Sequence, residues 1–194
     1  GRTMSYKSLR EIVRTLADNL RPPERMTVAQ AAEKYRFINQ PGAYVGQWDN
    51  STAPYMVEPM NVFASRDYNN MAFVGPAQSG KTDSIVINGL AYSVKVDPMD
   101  TMLYCPTNTA ARDFSIRRVD RLHRHSPEIG AMLLKSRDAD NVMDKHYVTG
   151  MIFTLSWPSV TELAGRPVGR IIMTDFDRMP IDVGADGNSF VLAP

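Results

Sequence analysis

Four residues at fixed spacing carry the clearest chemical pattern in the sequence. Residues 75–82 fit the pattern G-x-x-x-x-G-K-S/T throughout, as Gly75, Pro76, Ala77, Gln78, Ser79, Gly80, Lys81 and Thr82. In such a loop the glycines let backbone amides turn inward around phosphate oxygens, and the following helix points its positive end at the same charge. The pattern predicts that Lys81 reaches the β- and γ-phosphates of ATP and that the Thr82 hydroxyl holds Mg²⁺.

The segments on either side of this glycine loop (residues 75–82) support the prediction. Residues 71–74 are apolar and predict a short buried strand, and residues 82–94 predict a helix. A strand before the loop and a helix after it are the context that a phosphate-binding loop requires. We therefore reject the alternative of a glycine turn that binds no ligand.

The metal that accompanies a bound nucleotide also needs a carboxylate, which such proteins carry at the end of a neighbouring strand. Residues 171–174 are apolar and predict a buried strand that ends on Asp175. An aspartate at the turn after a strand is common, but the glycine loop favours a metal role here. Asp175 is therefore predicted to contact Mg²⁺ through water, next to Thr82.

The residue that orients or deprotonates the attacking water has two candidates. Many ATPases with this loop place a glutamate directly after the strand-end aspartate, where this sequence has Phe176. Asp177 is the nearest substitute. If the strand is aligned one residue differently, Asp175 becomes the base and Thr174 takes the metal side. Both assignments remain open from the sequence.

Predicted strands alternate with predicted helices through the second part of the chain. Further strands are predicted at residues 101–104 and within residues 146–157, bent at Gly150, and a long helix at residues 109–125. This alternation predicts an α/β fold with a mostly parallel sheet flanked by helices. Before it, the sequence predicts small helical segments at residues 6–20, 27–35 and 54–65. Residues 36–53, between the last two segments, are predicted to be a long ordered loop or a partner-facing segment.

The composition is that of an ordinary globular protein. The 194 residues are 43% hydrophobic and 22% charged, which argues against disorder and fits one domain with a substantial core. The net charge of +1 neither supports nor excludes nucleic-acid binding. No apolar run is long enough to predict a membrane span. The single cysteine, Cys105, cannot form an internal disulfide, which fits a reducing compartment.

Together with the glycine loop, three other stretches resemble the large subunit of tailed-phage terminases of the GpA type. They are residues 46–60, 104–127 and 163–180, so that the resemblance extends over about residues 46–180. It implies a P-loop NTPase fold of the RecA-like ASCE class, with ATP and Mg²⁺ as cofactors. It also implies that Tyr55 lies against adenine. We accordingly divide the chain into an N-terminal helical and adenine-side segment, residues 1–66, and an ATPase core, residues 67–194.

The same resemblance implies a motor that translocates double-stranded DNA into a viral procapsid. Its partners would be the portal protein, a small terminase subunit and further copies of the chain in a ring. It would work in the host cytoplasm, docked transiently at the procapsid and absent from the mature virion. A C-terminal nuclease domain is expected outside this chain, which we interpret as an N-terminal fragment with an incomplete sheet.

The sequence departs from this family at one charged position. Many terminases carry an arginine inside the loop that touches the γ-phosphate, but the interior residues here are Pro76, Ala77, Gln78 and Ser79. A charge-neutralising arginine must then come from elsewhere, such as a neighbouring subunit. Arg166 and Arg170, which precede the last predicted strand, are the candidates.

Two other functions and one other surface stay under consideration. A helicase-type RecA-like motor would need a second such domain and a strand-end glutamate, and the sequence contains neither. A nucleotide-gated binding module without turnover would tolerate Phe176 at that position. Arg117, Arg121 and Arg124 share a predicted helix face, where a solvated surface is favoured over contact with DNA phosphate.

Overall fold

The computed structural model of the chain describes residue 8 and residues 25–136, 140–159, 167–183 and 188–189. The helix predicted over residues 6–20 lies outside these residues, except for Ser8. Within the described part of the chain, no helix has the length and apolar character needed to cross a membrane.

The described residues 25–66 of the N-terminal segment form two short helices and a hairpin between them. The bounds are α1 Val28–Tyr35, β1 Phe37–Gln40, β2 Tyr44–Gln47 and α2 Val57–Phe63, with 3₁₀ turns at Asn50–Thr52 and Pro54–Met56. The predicted start of α1 is confirmed, because Thr27 and Gln30 form a capping box. The Gln30 N–H donates to Thr27 Oγ1 at 3.2 Å, and the Thr27 N–H donates to Gln30 Oε1 at 2.9 Å.

The prediction of a long loop over residues 36–53 was wrong at residues 37–47, which form a hairpin. β1 and β2 pair antiparallel from Phe37 opposite Gln47 to Gln40 opposite Tyr44. The chain reverses between them at Gly42, whose φ of +84° suits glycine. The strands are short and none of their residues is buried, and the sequence carries no alternation of apolar residues from which to predict them.

The second part of the chain holds the main sheet and its helices. α3 comprises a π-helical segment, Thr82–Ile87, and an α-helical segment, Asn88–Lys95; α4 comprises Asn108–Phe114, the π-helical Ser115–Val119 and Asp120–His125; α5 is Pro127–Gly130. The strands are β3 Thr101–Tyr104, β4 Asp144–His146, β5 Ile152–Ser156, β6 Arg170–Met173, β7 Asp182–Val183 and β8 Asn188–Ser189, with a 3₁₀ turn at Phe176–Arg178.

The four-stranded sheet has the order β4-β5-β3-β6. β3 pairs parallel with both β5 and β6, whereas β4 pairs antiparallel with β5. The α/β class is thus confirmed, and the sheet is mixed, with parallel strands at its centre. The predicted bend at Gly150, where φ is +87°, separates β4 from β5.

The strand predicted at residues 71–74 does not form. Val74 is 97% exposed, and Phe73 packs instead against an apolar cluster of the N-terminal segment that includes Met56 and Met60. β6 is the last strand of the described sheet, and its residues Ile171 and Met173 remain 55% and 45% exposed. Residues 71–74 do not pair with this edge of the sheet, and an apolar run without ladder hydrogen bonds is not a strand.

The main core lies between the sheet and helices α3 and α4. Ile87, Leu90 and Val94 of α3 pack with Leu103 of β3 and Phe153 of β5. Each of these residues is at most 1% exposed. This packing fixes the direction of α3, and with it the position of the glycine loop from which α3 emerges.

Candidate nucleotide-binding site

The backbone of the glycine loop has the conformation that an anion-binding loop needs. Gln78 and Gly80 have positive φ values of 59° and 78°, and Lys81, directly after Gly80, is right-handed with φ −52°. Successive residues of opposite hand turn their N–H groups toward one centre, where an anion can accept several hydrogen bonds. A non-glycine residue at positive φ, such as Gln78, is uncommon and typical of functional loops.

The Lys81 ammonium lies back across this loop. Its Nζ is 3.5 Å from the carbonyl oxygens of both Gly75 and Pro76. These distances exceed the usual 2.7–3.2 Å of an N–H···O bond, so both contacts are weak. Because an ammonium has three donors, Lys81 keeps the capacity to donate to an oxyanion held by the loop.

Ser79 provides a second open donor. Its Oγ is buried and has no hydrogen-bond partner among the described residues. A buried hydroxyl without a partner is costly, and a phosphate oxygen would satisfy it. The open Ser79 hydroxyl and the loosely held Lys81 ammonium therefore fit a bound phosphate chain.

Tyr55 is fastened to the same loop from the N-terminal segment. Its hydroxyl donates to the Ser79 carbonyl oxygen at 3.0 Å, while the residue as a whole is 61% exposed. The ring thus stands beside the loop with most of its surface open. This placement is compatible with a stacking role against a base, which stays a prediction.

Thr82 lies at the start of α3, in π-helical backbone. The Ser84 N–H donates to the Gly80 carbonyl at 2.9 Å, which ties the loop to the first turn of the helix. The N-terminal amides of a helix of this length carry a partial positive charge toward the loop. A threonine hydroxyl and phosphate oxygens are hard oxygen ligands, the kind that Mg²⁺ prefers.

The carboxylates predicted to serve the metal and the water lie at the end of β6. Asp175 follows this strand in the left-handed conformation, with φ 51° and ψ 47°, and Asp177 lies in the next 3₁₀ turn. Both residues are exposed. Burial, and next the charge of Asp175, raise the pKa of the Cys105 thiol, directly after β3, to about 12. No hydrogen bond joins either described aspartate to Thr82.

The structure describes one of the two arginines predicted to act across a subunit boundary. Arg166 lies outside the described residues. Arg170 begins β6 and is engaged inside the molecule: it donates to Ser93 Oγ, pairs with Asp97 at 3.5 Å and stacks over the Phe63 ring at 4.9 Å. Burial lowers the pKa of Arg170, and Asp97 opposes this shift. Arg170 would have to leave these contacts to reach a second subunit.

One charged cluster next to the loop was not predicted from the sequence. Asp83, directly after Thr82, accepts from Arg36 at 2.5 Å and from Arg118 at 2.9 Å. Arg36 is only 5% exposed. The sequence gives one signal of this cluster, an acidic residue directly beside a predicted phosphate site. Its arginine partners could not be identified from the sequence, because they are 47 and 35 residues away in the chain.

The predicted arginine face of α4 is present and open to solvent. Arg117 is paired with Asp113 at 4.0 Å, and its side chain is 76% exposed. Arg121 and Arg124 are also exposed. Such a face can be solvated or can meet an anionic partner, and the geometry of α4 is compatible with both.

Comparison with known families gives a match that covers most of this architecture. Residues 42–194 match the model of the phage terminase large subunit gpA, ATPase domain. No curated protein matches the chain. The matched segment is well over half of the 194 residues and includes the glycine loop, α3, α4 and β6. The chain therefore belongs to the gpA family of phage terminase large subunits, within their ATPase domain.

Proposed function

We propose that this chain is the ATP-hydrolysing part of a phage DNA-packaging motor that moves double-stranded DNA into a procapsid. The conformation of the glycine loop carries the proposal, because converging amides, an ammonium and an open hydroxyl suit a phosphate chain. Membership of the gpA ATPase family supports the DNA-packaging role.

The loop residues would divide the work of binding. The amides around Gln78 and Gly80 and the Ser79 hydroxyl would hold the phosphate oxygens. Lys81 would donate to the β- and γ-phosphates, and Thr82 would hold Mg²⁺. ATP supplies the phosphoanhydride whose hydrolysis drives the motor. Tyr55 would lie against the adenine base on the side of the N-terminal segment.

The end of β6 would serve the hydrolysis step. In one assignment Asp175 holds Mg²⁺ through water and Asp177 orients or deprotonates the attacking water. In the other, Asp175 is the base and Thr174 takes the metal side. Both aspartates are exposed, so their carboxylates are open to a metal ion or a water that arrives with the nucleotide.

The partners follow from the same proposal. The working motor would be a ring of identical subunits docked at the portal protein, aided by a small terminase subunit, in the cytoplasm of the host. An arginine from a neighbouring subunit would neutralise the developing charge on the γ-phosphate, because the interior of the glycine loop has no arginine.

A second candidate function is a nucleotide-gated binding module without turnover. Phe176 favours it, since this residue stands where related ATPases carry a glutamate and is 47% exposed. In that case ATP would order the loop and its surroundings, and no phosphate would be released.

Titration of the chain with Mg-ATP, followed by calorimetry, tests the binding site. We expect saturable binding, and we expect Lys81→Ala to weaken it about 10- to 100-fold, the value of one charge-assisted hydrogen bond. Lys95→Ala is the matched control, because Lys95 ends the same helix and pairs with Glu128 at 3.3 Å. Equal affinity of the wild type and Lys81→Ala would refute the proposed site. Phosphate release under assembly conditions with portal and DNA, lost in Lys81→Ala, separates the motor from the binding module.

A further inference from the structure

The carboxylate of Asp83 accepts from two guanidinium groups that come from different elements of the fold. Arg36, between α1 and β1, donates to Asp83 Oδ1, and Arg118, on α4, donates to Asp83 Oδ2 at 2.9 Å. Asp83 itself is the residue after Thr82. The first turn of α3 is therefore held from the N-terminal segment and from α4 at once.

Arg36 is the fixed member of this cluster. It also donates to the Asp83 backbone oxygen and to Asn88 Oδ1, each at 2.5 Å, so it bridges the π-helical and α-helical parts of α3. The guanidinium stacks over the Trp48 ring at 5.0 Å. A side chain with this many contacts and 5% exposure is an anchor that cannot leave without loss of packing.

Arg118 is the adjustable member. Its side chain is 41% exposed, and one nitrogen, Nη1, makes the bond to Asp83. Arg118 lies in the π-helical segment Ser115–Val119 of α4, and Asp83 lies in the π-helical segment Thr82–Ile87 of α3. Their ion pair thus joins the two π-helical segments of the described chain, and such wide turns occur preferentially at functional sites.

The charges explain why both arginines are needed. Burial is the main cause that lowers the pKa of Arg36, Asp83 opposes it, and the charge of Arg118 lowers it further. The two guanidinium groups therefore repel each other, and Asp83 holds them together. Without Arg118, the carboxylate next to Thr82 would be compensated by one partner only, beside a loop suited to an anion.

From this geometry we propose that Arg118 is a positioning residue for the nucleotide site, acting through Asp83 to hold the start of α3 and the adjoining glycine loop. The proposal rests on the nucleotide site proposed above. It assigns to α4 a direct mechanical connection to that site. Arg117, Arg121 and Arg124 lie on the same helix, so a partner that contacts them would act on the connection.

Affinity for Mg-ATP, measured by calorimetry on the chain, tests the inference. Arg118→Gln is expected to raise the Kd about 3- to 10-fold, the range of a partly exposed pair that involves charged groups. Arg118→Lys is expected to recover most of the affinity, because one donor atom suffices. Arg117→Gln is the matched control on the adjacent residue and should leave the Kd unchanged. The thermal midpoint of all three variants should stay close to the wild-type value, since the positions are exposed or half-exposed.

The route through Asp83 is tested by a double-variant cycle. If Arg118 acts through Asp83, adding Arg118→Gln to Asp83→Asn should not raise the Kd further. A further rise of 3-fold or more would show that Arg118 acts on the phosphates directly, which overturns the inference. If Asp83→Asn does not fold, the comparison of Arg118→Gln with Arg118→Lys decides.

Two results distinguish failure of this inference from failure of the proposed function. Saturable binding by the wild type with an unchanged Kd in Arg118→Gln, or with a Kd for Arg118→Lys as high as for Arg118→Gln, overturns the inference and leaves the nucleotide site intact. No binding by the wild type refutes the nucleotide site and the inference together.

Discussion

Gln78 and Gly80 give the glycine loop its shape, and only one of them is a glycine. Gly80 has φ +78°, and a methyl group added there would meet nothing closer than Ser84 Oγ at 3.7 Å. The space around Gly80 is thus open, and the requirement for glycine comes from the backbone conformation. The loop can be disturbed here by changing backbone preference without a steric clash.

Gly80→Ala is predicted to cost about 1–2 kcal/mol of folding stability, the usual penalty of a left-handed L-residue. It is also expected to weaken Mg-ATP binding, because relief of that strain rotates the converging amides. Thermal unfolding and calorimetric titration measure the two effects. Gly42→Ala is the matched control: Gly42 has φ +84° in the hairpin turn, also with open space around it. An equal loss of Mg-ATP affinity in both variants would contradict a specific role for the loop.

Asp175, the candidate for binding the metal or activating the water, also has a left-handed backbone conformation. Its left-handed conformation turns the chain sharply after β6 into the 3₁₀ turn Phe176–Arg178. Asparagine and aspartate tolerate this region better than other non-glycine residues, so the turn alone is a sufficient reason for an aspartate at this position. The conformation is therefore compatible with the turn and with a catalytic role. The functional assignment rests on Asp175 following a strand parallel to β3.

A polar cluster connects helix α4 to β4 and to the residue that follows β4. His123 Nε2 is 2.9 Å from the Tyr147 hydroxyl, and Lys145, 2% exposed, pairs with Asp120 at 2.9 Å and Asp140 at 2.6 Å. Burial, and next the charge of Lys145, lower the pKa of His123 to about 4. The His123 Nδ1 has no partner among the described residues.

This cluster predicts a pH dependence of stability. The folded-state pKa of His123, about 4, lies below its unfolded value of 6.5, so the unfolded chain binds more protons between these values. The contribution of His123 is therefore complete above pH 6.5 and is lost as the pH falls toward 4, by on the order of 3 kcal/mol in total. Urea unfolding of the wild type and His123→Gln at pH 7.5, 6 and 5 measures it. The two curves should converge as the pH falls; parallel curves would contradict the assignment.

The elements that the sequence predicted well are those whose stability is local or fully buried. β3 has four buried residues in a row and was predicted with its bounds, and so was α1, whose start is fixed locally by its capping box. Residues 71–74 look equally apolar, but a strand also needs a neighbour, which is a property of the sheet and not of the segment. Asp83 was missed for the same reason, since both of its arginine partners come from distant parts of the chain.

The molecule as a whole offers the nucleotide no arginine from within the glycine loop. Arg170 is engaged with Asp97 and Ser93, and Arg118 is engaged with Asp83. If hydrolysis requires an arginine at the γ-phosphate, a neighbouring subunit is the simplest source. ATP hydrolysis would then be a property of the assembly. Each subunit would need an intact glycine loop and an intact surface that carries the arginine for its neighbour.

This requirement can be tested by mixing two inactive variants. Lys81→Ala lacks the loop lysine but keeps its arginines, and Arg166→Ala keeps the loop but lacks one candidate arginine. Each variant alone is expected to release little phosphate under assembly conditions with portal and DNA. A mixture should recover part of the wild-type rate, because loops of one variant meet arginines of the other. Arg178→Ala, an exposed arginine in the turn after β6, serves as the control and should be active alone. A mixture as inactive as its components would place the required arginine within the same subunit or at a position other than Arg166.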